Sequence, residues 1–87
     1  MRDNQVPEVN PEYVIEKFDN EILLYTEAGA KAVYLNDTAH AVWQLCREDL
    51  TVGQIISFLE DAFPDQSDQV RADVTDALSK LESNNVI

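Results

Sequence analysis

One switch of hydropathy period constrains this chain more than any other feature. Up to Leu35 its apolar residues suit extended strands, and from Asn36 on they recur at helical spacing. Tyr13-Val14-Ile15-Glu16-Lys17-Phe18 and Ile22-Leu23-Leu24-Tyr25-Thr26 are rich in aromatic and β-branched residues, which pack well on a pleated, half-buried surface. Asp19-Asn20 between them tolerates the positive φ of a two-residue hairpin turn. A second turn around Glu27-Ala28-Gly29 leads into a third short strand, Lys31-Ala32-Val33-Tyr34-Leu35. The spacing predicts a three-stranded antiparallel meander.

Three helices are expected after it. Asn36 or Asp37 can cap the first by accepting a bond from a free backbone N–H. Ala39, Val42, Trp43 and Cys46 then share one face. Thr51 and Gln54 stand at capping-box spacing before a second helix. Its apolar face is Val52, Ile55, Ile56, Leu59 and Phe63, and Pro64 ends it. Ser67 is expected to cap a third helix with Val70, Val74, Ala77, Leu78 and Leu81 on its face. Asn84-Asn85 can close it, since asparagine tolerates the left-handed conformation. The order β-β-β-α-α-α, without internal repeat, defines one α+β domain over residues 13–87. Residues 1–12, polar and broken by Pro7 and Pro11, read as a flexible N-terminal tail.

Composition narrows the functions open to such a domain. The chain has 87 residues, 17 acids, six bases and a net charge of -11, with 45% hydrophobic positions. That is enough apolar content to fold and enough negative charge to repel phosphate backbones, so nucleic acid is not the expected partner. No apolar run approaches the roughly 20 residues of a membrane span. The single cysteine cannot form an internal disulfide, which suits a reducing compartment, and the expected location is cytoplasmic.

Reactive side chains give no constellation. His40 is the only histidine and has no second ligand one helical turn away, so no metal site is expected. Cys46 lies on an apolar helix face, where a thiol acts as a small hydrophobe. Asp61, Asp65, Asp68, Asp73 and Asp76 do not follow the spacing of a calcium loop and read as a solvated face. Gly29 and Gly53 stand alone, so there is no phosphate-cradling loop. Trp43 and Phe63 read as core, although either could anchor a partner. Ser57, Ser67, Ser79 and Ser83 lack the setting of an acyl carrier's phosphopantetheine serine. Neither an enzyme nor a cofactor is expected.

A small sheet followed by three helices, the last one long, suggests a winged helix-turn-helix. Residues 68–83 hold Asp68, Asp73, Asp76 and Glu82 against Arg71 and Lys80, a net charge of -2. A helix of that sign does not enter a DNA groove, so the partner of such a fold would be a protein or peptide.

Two stretches resemble the PqqD-like family. The first runs Leu23-Leu24 … Val33-Tyr34-Leu35-Asn36-Asp37-Thr38-Ala39 … Val42-Trp43-Gln44-Leu45 … Leu50-Thr51-Val52 … Ile55 … Leu59. The second is Val70 … Asp73-Val74 … Leu78 … Leu81 … Val86-Ile87. Together they span about residues 13–87, and the order of the pieces is more specific than any one of them. Arg47-Glu48-Asp49 departs from the acidic-glycine turn often found there. The resemblance implies a winged helix-turn-helix fold that binds the leader of a ribosomally made precursor peptide. It implies presentation to a maturation enzyme: a radical-SAM protein in pyrroloquinoline quinone biosynthesis, or other enzymes such as a leader peptidase in lasso-peptide and related pathways. It implies a peptide chaperone without catalysis of its own.

An open edge on the third strand would let an extended peptide add as a fourth strand. Lys31, Ala32, Val33, Tyr34 and Leu35 are the expected edge. Arg71, Asp73, Val74, Ala77 and Leu78 are the expected opposite wall. Val33, Leu35, Val74 and Leu78 serve equally well as plain core. Lys31, Arg71 and Lys80 are expected to make the groove less acidic than the rest of the surface and tolerant of an acidic leader. An open edge also permits self-pairing, so monomer and dimer both stay open. The competing reading is an acidic winged-helix adaptor for another protein partner.

Overall fold

The structure, a computed structural model, describes residues 1–26 and 31–87. The expected turn at Glu27-Ala28-Gly29 lies outside them. Strands β1 (Tyr13–Phe18), β2 (Glu21–Thr26) and β3 (Ala32–Leu35) form an antiparallel sheet in the order β1-β2-β3. Helices α1 (Asp37–Cys46), α2 (Val52–Ala62) and α3 (Ser67–Ser83) follow, so the expected α+β architecture is present. Asp19, at φ 54, makes the β1–β2 turn as predicted.

Leu24 sits at the centre of the sheet between Ile15 and Val33 and is fully buried. Its neighbours on the helical layer, Val42, Ile55, Val74 and Leu81, are buried as completely. Each such side chain contributes roughly 1.5–3 kcal/mol when removed from water. These residues come from all three helices and the middle strand, which locks the sheet onto the helical layer.

The caps follow the sequence with one exception. Asn36 Oδ1 accepts from the Ala39 N–H at 2.8 Å, and Thr51 and Gln54 form the reciprocal capping box at 2.9 and 3.1 Å. Ser67 is not a cap. Pro64–Gln66 form a 3₁₀ turn that runs into α3, so Ser67 already has helical angles and Gln66 precedes the helix without a side-chain cap. Phe63 also departs from expectation. It leaves the helix at φ -129 and is 54% exposed, so it belongs to no core face.

Residues 1–12, read from the sequence as a tail, lie along the helical layer. The Gln5 and Asp3 carbonyls accept from the Val52 and Gly53 N–H groups at 2.9 and 2.8 Å, satisfying first-turn donors of α2. A Cβ on Gly53 would meet the Asp3 carbonyl at 3.2 Å, so this approach favours glycine. Asn10 donates to the Val86 and Asn85 carbonyls, and the Tyr13 hydroxyl donates to the Asn84 carbonyl at 2.7 Å. Asn85, at φ 59, closes α3 as expected and lets Val86 fold back into the core.

Candidate functional site

The β3 edge follows from hydrogen-bond alternation. In antiparallel pairs, residues alternately point both backbone groups at their partner and away from it. The Thr26 N–H donates to the Lys31 carbonyl at 3.1 Å, which makes that pair a bonded one. Two residues on, Val33 therefore faces Leu24 with its backbone, and Leu35 faces Ile22. Ala32 and Tyr34 turn their N–H and C=O groups to the open side. Their side chains are exposed on the outer face of the sheet, whereas those of Val33 and Leu35 are buried.

Lys80 reaches this edge from α3, and its Nζ donates to the Tyr34 carbonyl. Lys80 thus bridges the edge and α3, and a groove opens beside this bridge. Asn36, Thr38 and Ala39 close its floor, with Asp73, Asp76 and Ala77 on the α3 side, around a cavity of about 240 Å³. Thr38 and Asp73 also line a neighbouring cavity of about 290 Å³, walled by Ala41, Leu59, Phe63, Val70 and Val74. The two cavities adjoin at Thr38 and Asp73 and together are the cleft, mixed in polarity beside Lys80 and mainly apolar at the other end.

The predicted wall residues divide between two flanks of α3. Asp73 and Ala77 face the groove, and Val74 borders its apolar end, although Val74 and Ala77 are themselves buried. Arg71 does not face it. It pairs with Asp3 on the opposite flank, its two guanidinium nitrogens donating to the carboxylate at 3.0 and 3.1 Å. Leu78 is buried and borders that same flank, beside Met1, Val52 and Ile56. The cause is helical geometry, since residues 71 and 73 differ by about 200° around the axis. Lys31 is exposed immediately before β3 and lines neither cavity.

The electrostatics change accordingly. The cleft is lined by Asp37, Asp73 and Asp76 against Lys80, so it is acidic, in contrast to the less acidic groove expected from the sequence. The bond from Arg71 holds the Asp3 carboxyl below its ordinary value and raises Arg71 in turn. Sequence reasoning could not find this pair, because 68 positions separate its members. It also missed the apolar end of the cleft, which depends on Phe63 leaving α2.

The sheet has a second outer strand, β1. Tyr13, Val14 and Ile15 border a wider cleft of about 800 Å³, whose other wall is the chain's own segment from Val6 to Pro11. Trp43 and Cys46 lie beneath it, both buried as expected, and Arg47 stacks over the Trp43 ring at 4.9 Å. Burial pushes the Cys46 thiol up to about 11, which makes it a poor nucleophile at neutral pH. His40 on the same helix is shifted down, first by desolvation and then by Lys17. Among the described residues, no group of three or more His, Cys, Asp or Glu is placed to hold a metal ion, and no helix is long and apolar enough to cross a membrane.

The fold and groove define a class, a small α+β domain that leaves a strand edge open beside a helix. Residues 21–87 match the family model described as Coenzyme PQQ synthesis protein D (PqqD), and the chain belongs to that family. The match spans β2, β3 and all three helices, which includes every residue of the cleft. No curated protein and no solved structure matches the chain.

Proposed function

We propose that this protein is a non-catalytic peptide chaperone. It takes the leader of a ribosomally made precursor peptide as a fourth strand along β3 and presents it to a maturation enzyme. Its family's place in pyrroloquinoline quinone synthesis supports a precursor peptide as the ligand. A radical-SAM protein is the natural recipient in that pathway, and lasso-peptide maturation is a related setting. The work belongs in the cytoplasm, where precursor peptides leave the ribosome.

The observation that carries this reading is the outward display of Ala32 and Tyr34 backbone groups beside a cleft. Each main-chain bond to a peptide contributes about 0.5–1.5 kcal/mol net, and bonds of this kind hold any sequence alike. Selectivity then falls to side chains along the cleft: Asp73, Asp76 and Lys80, with Ala77 between them. Lys80 has a second effect. Its bond to the Tyr34 carbonyl occupies an acceptor that an added strand would use, so the lysine must yield as the peptide docks. Arg71 has no part in the groove.

Titrating the labelled protein with a leader peptide while recording amide shifts tests the reading. The expected result is a set of shifts centred on residues 32–36 and 73–80. Shifts confined to residues 13–18, on the β1 edge, would overturn it.

A further inference from the structure

We infer that the cleft selects a cationic peptide segment carrying one bulky apolar side chain, an inference that rests on the strand-addition reading above. Two separate features of the cleft point to this occupant. The first is charge. Asp73 and Asp76 flank the groove and Asp37 stands at its far end, and no described side chain forms an ion pair or hydrogen bond with any of the three. Among the described residues one cation lines the cleft, Lys80, which keeps its charge while bonded to the Tyr34 carbonyl, so three acids stand against one base. An incoming lysine or arginine therefore meets a lining that is net negative, and an incoming glutamate meets net repulsion. The surrounding charge of -11 adds a long-range bias of the same sign.

The second feature is the apolar end. Leu59, Val70 and Val74 form its base, and exposed Phe63 stands at its lip. At about 290 Å³ it has room for a large apolar side chain. Asp73 borders both cavities, so the carboxylate lies between the strand edge and this end. A peptide lying along the cleft would meet the β3 edge, then Asp76 and Asp73, then the apolar recess with Asp37 beside it. That order is the recognition pattern: extended backbone, cation, apolar anchor.

Two synthetic peptides test it, both alternating threonine and valine with one leucine, one flanked by lysines and the other by glutamates. Fluorescence anisotropy measures affinity, and the Ala32 and Tyr34 amide shifts report strand addition separately. The lysine peptide should bind about tenfold more tightly at low salt, the combined effect of several exposed ion pairs. The gap should shrink as salt screens the charges. In the Asp73→Asn, Asp76→Asn double variant the preference should largely vanish, and thermal unfolding of that variant shows whether the fold persists. Phe63→Ala should weaken the lysine peptide while leaving the charge preference in place. Equal affinity for both peptides, or a preference that survives the double variant, overturns the inference. If both peptides shift the Ala32 and Tyr34 amides equally and with equal affinity, strand addition stands and the charge inference falls. If the lysine peptide is preferred through Asp73 and Asp76 but those amides do not move, strand addition falls and the charge inference stands. Binding of neither peptide overturns both.

Discussion

Proline at position 32 separates the edge from the ladder. The Ala32 N–H points to the open side of β3, so a proline ring there costs the sheet no bond to β2. The Lys31 carbonyl, which accepts from Thr26, is left in place. An added peptide strand would lose its bond to the Ala32 N–H and would also meet a ring methylene where its own backbone should lie. One main-chain bond is about 0.5–1.5 kcal/mol net, and disturbing its neighbour brings the loss to about 1–3 kcal/mol. That is roughly a fivefold to hundredfold rise in Kd. Isothermal titration with a leader peptide measures it, and urea unfolding shows whether the fold has held. Val33→Pro is the internal contrast. Its N–H faces Leu24, so proline there breaks the ladder and should lower stability by at least about 1 kcal/mol. If Ala32→Pro binds within about twofold of the parent while remaining folded, one edge bond is not being used and strand addition along β3 is wrong.

Other predictions concern the parts around that edge. Arg71→Ala should leave leader affinity within about twofold, the scale of a distant exposed charge, because its side chain lies on the far flank of α3; titration of the variant checks this. Cys46 should resist alkylation in the folded protein. With its thiol pushed from 9.0 to about 11, the thiolate fraction near neutral pH is about a hundredfold lower, and rapid labelling should appear only in denaturant. Asp49 holds φ 58, a conformation glycine adopts without strain, so Asp49→Gly should raise stability by about 0.5–1 kcal/mol in urea unfolding. His40 is shifted below the ordinary 6.5, so its contribution is present above that pH and is lost as pH falls through its lower folded value. The unfolding midpoint should therefore drop on mild acidification, and His40→Gln should flatten that drop.

Much of this fold was legible because its signals are local. The Asp19-Asn20 turn, the Asn36 cap, the Thr51–Gln54 box and the buried faces of α1 and α3 each depend on residues a few positions apart. The misreadings share a different cause. Ser67 has the residue type of a cap, but the 3₁₀ turn that begins at Pro64 makes position 67 helical already. Phe63 kept the helical spacing of α2, but the helix ends at Ala62 and the ring turns outward. Periodicity says which residues share a face and is silent on which neighbour that face meets. Arg71 and Asp73 are a different case, because the spacing itself sets them about 200° apart on the helix and so excludes one wall for both. The turn at Asp49 is a further case. Arg47-Glu48-Asp49 contain no glycine, yet Asp49 holds a left-handed φ of 58.

The sign of the groove also bears on how an open strand survives in solution. An unpaired edge is as available to a second copy of the chain as to a peptide, and proteins blunt such edges with short strands and charges. Here β3 is only four residues long, and Lys80 covers one of its outward acceptors. Two copies approaching edge to edge would bring together the acids at 73 and 76 from each, within molecules that each carry -11. Like charges brought together oppose pairing. A cationic peptide meets the reverse situation, since its charges are opposite in sign to the acids along the cleft. The acids that deter self-association are therefore the ones that would reward the proposed ligand. Neutralising Asp73 and Asp76 should act on both at once, weakening the lysine peptide and easing association of the protein with itself.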